Sequence, residues 1–119
     1  MLSTILIVED SDLGEQLVEI LELEGFIGIR AVNALEGVRL AQEHQPAVIL
    51  TDLMMPGVDG FEFMSRVQAI PAIAHTPIIV MSAAVDRRAK ALEMGAVGFL
   101  SKPFLNAEFL AAIRQLLSS

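Results

Sequence analysis

Five short apolar runs recur along the chain, at residues 5–8, 27–32, 47–50, 78–81 and 97–100. The first, third and fourth are nearly unbroken Ile, Leu and Val, the pattern of strands covered on both faces. The second is interrupted by Gly28 and Arg30 and the fifth by Gly98, which marks both as edge strands. Between the runs the period becomes helical. Leu13, Leu17, Ile20 and Leu21 form one stripe, with Glu15, Glu19 and Glu22 turned away from it. Val38 and Ala41, then Phe63, Met64 and Val67, then Phe109, Ile113, Leu116 and Leu117 continue the alternation. Asp12-x-x-Glu15, Asn33-x-x-Glu36 and Asp59-x-x-Glu62 have the spacing of capping boxes, and Gly25 and Gly95 stand where helices end in a left-handed residue. A strand followed by a helix, five times over, predicts an α/β domain whose parallel sheet carries helices on both faces. With 119 residues and no repeat, linker or low-complexity segment, one domain over residues 1–119 is expected.

Composition sharpens this picture. Hydrophobic residues make up 54% of the chain, enough for a real core and too many for a disordered segment. The absence of cysteine excludes disulfides and thiolate metal sites. A net charge of −7 argues against direct nucleic-acid binding, which needs a basic face. Residues 1–60 hold eleven acids and two arginines, so a cation is best sought in that half. The apolar start is too short for a signal peptide and runs into Glu9 and Asp10. Residues 67–85 carry no charge, but Pro71, Pro77 and four polar side chains argue against a membrane span. A soluble, cytoplasmic domain without membrane contact is expected.

In a parallel sheet of this kind, ligands bind beyond the carboxyl ends of the strands. The first strand ends at Glu9-Asp10, the third at Asp52, the fourth at Ser82 and the fifth at Lys102-Pro103. Right-handed crossovers bring these ends to one edge. If the first and third strands are neighbours, three carboxylates converge there, with a hydroxyl and an ammonium beside them. Such a group holds either a proton or a cation. Oxygen ligands without His or Cys suit Mg²⁺, and a carboxylate beside that ion can attack a phosphoryl group. Lys102 is one of only two lysines. With Ser82 it is suitably placed to hold phosphoryl oxygens.

These residues resemble the receiver domain of bacterial two-component response regulators, across essentially the whole chain. The matching pieces are Ile5-Leu6-Ile7-Val8-Glu9-Asp10, Asp52-Leu53-Met54-Met55-Pro56-Gly57 with Asp59-Gly60, Met81-Ser82-Ala83, and Phe99-Leu100-Ser101-Lys102-Pro103-Phe104. The resemblance implies a doubly wound, flavodoxin-like (βα)5 sandwich of strand order 2-1-3-4-5. It implies that Asp52 accepts a phosphoryl group from a histidine kinase or a histidine phosphotransfer protein. Glu9 and Asp10 would hold Mg²⁺ with Asp52, and the Met54 backbone carbonyl would be a further ligand. Ser82 would hydrogen-bond the phosphoryl group and Lys102 would pair with it. Phe99 would turn inward as Ser82 moves, and Lys102-Pro103 would be a cis peptide. The implied output is a downstream protein or effector domain, from a monomer or weak dimer. Such a domain promotes its own phosphorylation and dephosphorylation but turns over no external substrate.

This sequence departs from the family's usual pattern in three places. Phe99 stands where many relatives have tyrosine, Ser82 replaces the commoner threonine, and the stretch from Ser82 to Lys102 is about two residues short near residues 85–88. The start of the fourth helix is therefore open.

Plainer readings compete. Glu9 and Asp10 also read as polar residues leaving a strand, Asp52 as a turn residue, Ser82 as a strand-end hydroxyl and Phe99 as core. Asp12 and Asp59 fit helix caps better than metal ligands. Arg87, Arg88 and Lys90 read first as a solvated helix face. Among whole-protein alternatives, Asp10-Ser11-Asp12 has the Asp-x-Asp form of a haloacid-dehalogenase-like phosphatase, but no later acidic pair follows. An FMN binder would need a first loop that welcomes phosphate, which Glu-Asp-Ser-Asp would repel. A receiver fold serving as a phosphorylation-independent binding module is the third.

Overall fold

The computed structural model describes residues 2–118. Both chain ends of the expected 1–119 domain therefore lie outside the described residues. Strands β1 (Thr4–Val8), β2 (Ile27–Ala31), β3 (Val48–Asp52), β4 (Ile78–Ser82) and β5 (Gly98–Ser101) form one parallel sheet. Their order is β2-β1-β3-β4-β5, with the two interrupted strands at the edges. Helices α1 (Asp12–Leu23), α2 (Ala34–His44), α3 (Gly60–Gln68), α4 (Arg88–Glu93) and α5 (Asn106–Leu117) connect and follow the strands.

Alternation along each strand divides the interior into two cores. Ile5, Ile7, Val48, Leu50, Ile79 and Met81 face Leu17 and Leu21 of α1 and Phe109, Leu110 and Ile113 of α5. Leu6, Val8, Ile49 and Val80 face the other way, onto Phe63, Met64 and Val67 of α3, with Ala34 and Ala41 of α2 and Ala91 of α4. Each central strand thus buries both of its faces, which is why its sequence shows no polar alternation. Leu117 departs from the predicted α5 stripe: its side chain is exposed, and Leu110 takes the inward place.

Helix starts follow the predicted chemistry with shifts. Asn33 and Asp59 accept from the backbone N–H of Glu36 and Glu62 at 2.8 and 2.9 Å. The first helix is capped by Ser11 rather than Asp12, through the Leu13 N–H at 3.3 Å. Asp12 is already helical and supplies negative charge to the positive end of the dipole. Gly25 and Gly95 have φ of 87° and 106° beyond the ends of α1 and α4, as expected. The short fourth connection is a 3-10 turn over Val85–Arg87 leading into a helix of six residues. Among the described residues no helix is long and apolar enough to cross a membrane.

Candidate functional site

Parallel register places the ends of β1, β3 and β4 side by side, since Val8 pairs with Thr51 and Asp52 with Met81. Asp52 is the last residue of its strand and is almost wholly buried. One residue beyond β1, the Glu9 backbone is held to the sheet by a 3.0 Å bond from its N–H to the Ala31 carbonyl. Its carboxylate is buried at 1% exposure, whereas Asp10 beside it is exposed. Oxygens of Glu9, Asp10 and Asp52 lie within 4.8 Å of one another.

Lys102 answers this cluster. Its ammonium lies 2.5 Å from Glu9 Oε1 and 3.5 Å from Asp52 Oδ2, and its backbone N–H donates to the Ser82 carbonyl at 2.9 Å. The following peptide bond, Lys102–Pro103, is cis. Ser11 donates to the other Glu9 oxygen through both its N–H and its hydroxyl, at 3.0 and 2.8 Å.

Environment splits the two buried carboxylates. Burial pushes Glu9 up, but Lys102 and the two Ser11 donors outweigh it and hold the carboxyl below its ordinary value. At Asp52 burial also pushes up. The Lys102 ammonium and the Met54 N–H, 3.4 Å from Oδ1, oppose it, the Glu9 charge adds to it, and the balance leaves Asp52 raised. Asp52 is thus short of positive charge. The exposed Asp10 carboxylate takes no hydrogen bond or ion pair among the described residues. An all-oxygen donor set with one under-compensated buried acid and one free acid fits a hard divalent cation.

Met54 follows Asp52 closely and, with Asp10, Asp59 and Arg87, lines an open cleft of about 550 Å³. The β3–α3 turn is shaped by Gly60. A side chain there would put Cβ 2.4 Å from the Asp52 carbonyl oxygen and 2.8 Å from Leu53 Cα. Only glycine lets the start of α3 come this close to the residue after the strand.

Not every predicted residue joins the cluster. Ser82 is buried at the end of β4, where its hydroxyl accepts from the Ala84 N–H at 3.0 Å and makes no bond to Asp52. Phe99 lies opposite Val80 and packs, half-buried, against the core under α3. Asp12 is exposed on α1 outside the carboxylate group, and Asp59 caps α3. Lys90 of the basic stretch stands over the Phe61 ring at 4.3 Å, while Arg87 and Arg88 are exposed.

Sequence reasoning missed Arg30. Read as an interruption of an edge strand, it reaches the β1–α1 loop and donates to the carbonyl of Ser11 at 2.7 Å and of Glu9 at 3.3 Å. The only signal was a charged residue inside an otherwise apolar strand, next in space to the acidic loop.

Comparison with known proteins agrees with this architecture. The profile of the response regulator receiver domain matches residues 5–114. The chemotaxis protein CheY of Halobacterium salinarum is 32% identical over 120 residues, covering 100% of both chains. The transcriptional regulatory protein CusR of Escherichia coli is 38% identical over 116 residues, covering 95% of this chain and 50% of that protein. The chain likewise spans about half the length of several other transcriptional regulators that it matches. A crystal structure of a chemotaxis response regulator from Vibrio cholerae superposes with a TM-score of 0.91 at 26% identity, covering 98% of this chain and 99% of that one. Fold and sequence agree: the chain belongs to the response regulator receiver domain family.

Proposed function

We propose that this chain is a Mg²⁺-dependent phosphoacceptor switch in which Asp52 takes a phosphoryl group from the phosphohistidine of a histidine kinase or phosphotransfer protein. The observation that carries this reading is the convergence of Glu9, Asp10 and Asp52 with Lys102 at one sheet edge. A carboxylate oxygen of Asp52 attacks phosphorus as the bond from phosphorus to the imidazole nitrogen breaks. The bonding pair stays on that nitrogen, and with the other ring nitrogen of the phosphohistidine protonated beforehand the donor departs as a neutral imidazole. Lys102, already 3.5 Å from Asp52, is in reach of the new phosphoryl oxygens, and the Ser82 hydroxyl turns to donate to one of them.

Glu9, Asp10, Asp52 and the Met54 carbonyl are the groups that would hold Mg²⁺. The bound ion would neutralise charge on the transferring oxygens and keep Asp52 ionised. Glu9 fixes the ground-state position of Lys102, and Asp10 offers the unpaired carboxylate.

Phosphorylation adds close to two negative charges at Asp52. Ser82 and Phe99 respond, the aromatic turning inward, and this changes the surface near β4 and β5. The downstream partner is a protein or an effector domain rather than nucleic acid bound directly by this domain. In this reading residues 1–119 form a single cytoplasmic domain, a monomer or weak dimer, that promotes only its own phosphorylation and hydrolysis. Beryllofluoride, a phosphoryl stand-in, tests the site. Amide resonances around Asp52, Ser82 and Lys102 should shift on its addition only with Mg²⁺ present, and not in Asp52→Asn. Shifts that persist in Asp52→Asn would contradict the assignment.

A further inference from the structure

Arg30 occupies a costly position. It is half-buried in β2, opposite Ile7 of β1, on a strand whose other side chains are Ile, Ala and hydrogen. No carboxylate pairs with it among the described residues. Its fork closes instead on two backbone carbonyls, those of Glu9 and Ser11, which flank Asp10. With Glu9 N–H bound to Ala31, the peptide units around Asp10 are tied to β2 from both sides. A second residue makes room for this contact. Gly14 lies in the first turn of α1, where glycine is a poor helix former. A Cβ there would come within 2.7 Å of Arg30 Nε and 3.0 Å of the Glu9 carbonyl oxygen.

We infer that Arg30, seated over Gly14, is a positioning residue that fixes the loop carrying Asp10 and thereby sets the affinity of the acidic cluster for a divalent cation. The inference rests on reading Glu9, Asp10 and Asp52 as that cation's ligands. Two physical effects of removing Arg30 have opposite signs. By charge alone, losing a cation near the site tightens Mg²⁺ binding by a small, salt-screened factor. Loss of the outer groups that orient a metal ligand weakens binding, by about tenfold or more.

The test is a Mg²⁺ titration of wild type, Arg30→Gln, Arg30→Lys and Gly14→Ala, followed through amide resonances of residues 9–12, with thermal melting as the folding control. Arg30→Gln is expected to bind about tenfold more weakly. Arg30→Lys, which keeps the charge and loses the fork, should also weaken binding. Gly14→Ala should weaken it too, despite its better helix propensity, because its methyl group displaces the guanidinium. Folded Arg30→Gln and Gly14→Ala proteins that bind Mg²⁺ as tightly as wild type, or more tightly, would overturn the inference while leaving the cation site intact. Absence of saturable binding by wild type would overturn the cation site itself, and the inference with it.

Discussion

Asp52 and Glu9 differ in what surrounds them, and the difference gives opposite pH behaviour. Asp52 is raised in the folded protein, so its ionised form costs stability at neutral pH, and that cost is relieved as pH falls through its folded value. Asp52→Asn is therefore expected to melt at a higher temperature than wild type at pH 7 without Mg²⁺. Added Mg²⁺ should narrow the gap, and so should acidification; melting curves at several pH values check this. Glu9 is lowered, so its contribution is present above its unfolded value and disappears as pH falls through the lower folded one. Replacing its partner, Lys102→Met, leaves a buried carboxylate unpaired. The expected loss is about 3 kcal/mol at pH 7. It should shrink toward pH 4 as the stranded Glu9 takes a proton, which denaturant titrations at both pH values would reveal.

Among the elements, the strands were the most legible part of the sequence, because burial on both faces leaves the middles of β1, β3 and β4 apolar, with polar residues only at their ends: Thr4, Thr51, Asp52 and Ser82. Helix starts were less so. Ser11 and Asp12 are both good caps, and spacing alone does not say which leaves the helix first; the Glu9 carboxylate holds Ser11 at the turn. The candidate acids and Lys102 were readable because each follows an apolar run, whereas Arg30 acts through backbone carbonyls that a sequence does not display. Leu117 fits the stripe by period, but it is the last residue of α5 and its side chain is exposed. The elements also set tolerances. Gly60→Ala is expected to destabilise by about 2 kcal/mol, since its methyl group meets backbone on two sides and neither can give way. Asp52 should lose reactivity with it, because the same turn carries Met54. Urea unfolding measures the first effect and the rate of phosphoryl uptake the second.

At the scale of the molecule, two apolar layers hold a sheet whose carboxyl edge gathers charge from three strands. The strand order, with β1 beside β3, decides which carboxylates meet. The fold supplies the meeting point; the chemistry is carried by Asp52 and the groups within reach of it. Intact mass after incubation with a small acyl phosphate, with and without Mg²⁺, on wild type and Asp52→Asn, tests that claim most directly. One added phosphoryl group is expected on wild type, only with Mg²⁺, and none on Asp52→Asn. Addition to Asp52→Asn at the wild-type rate, or addition to wild type indifferent to Mg²⁺, would contradict it.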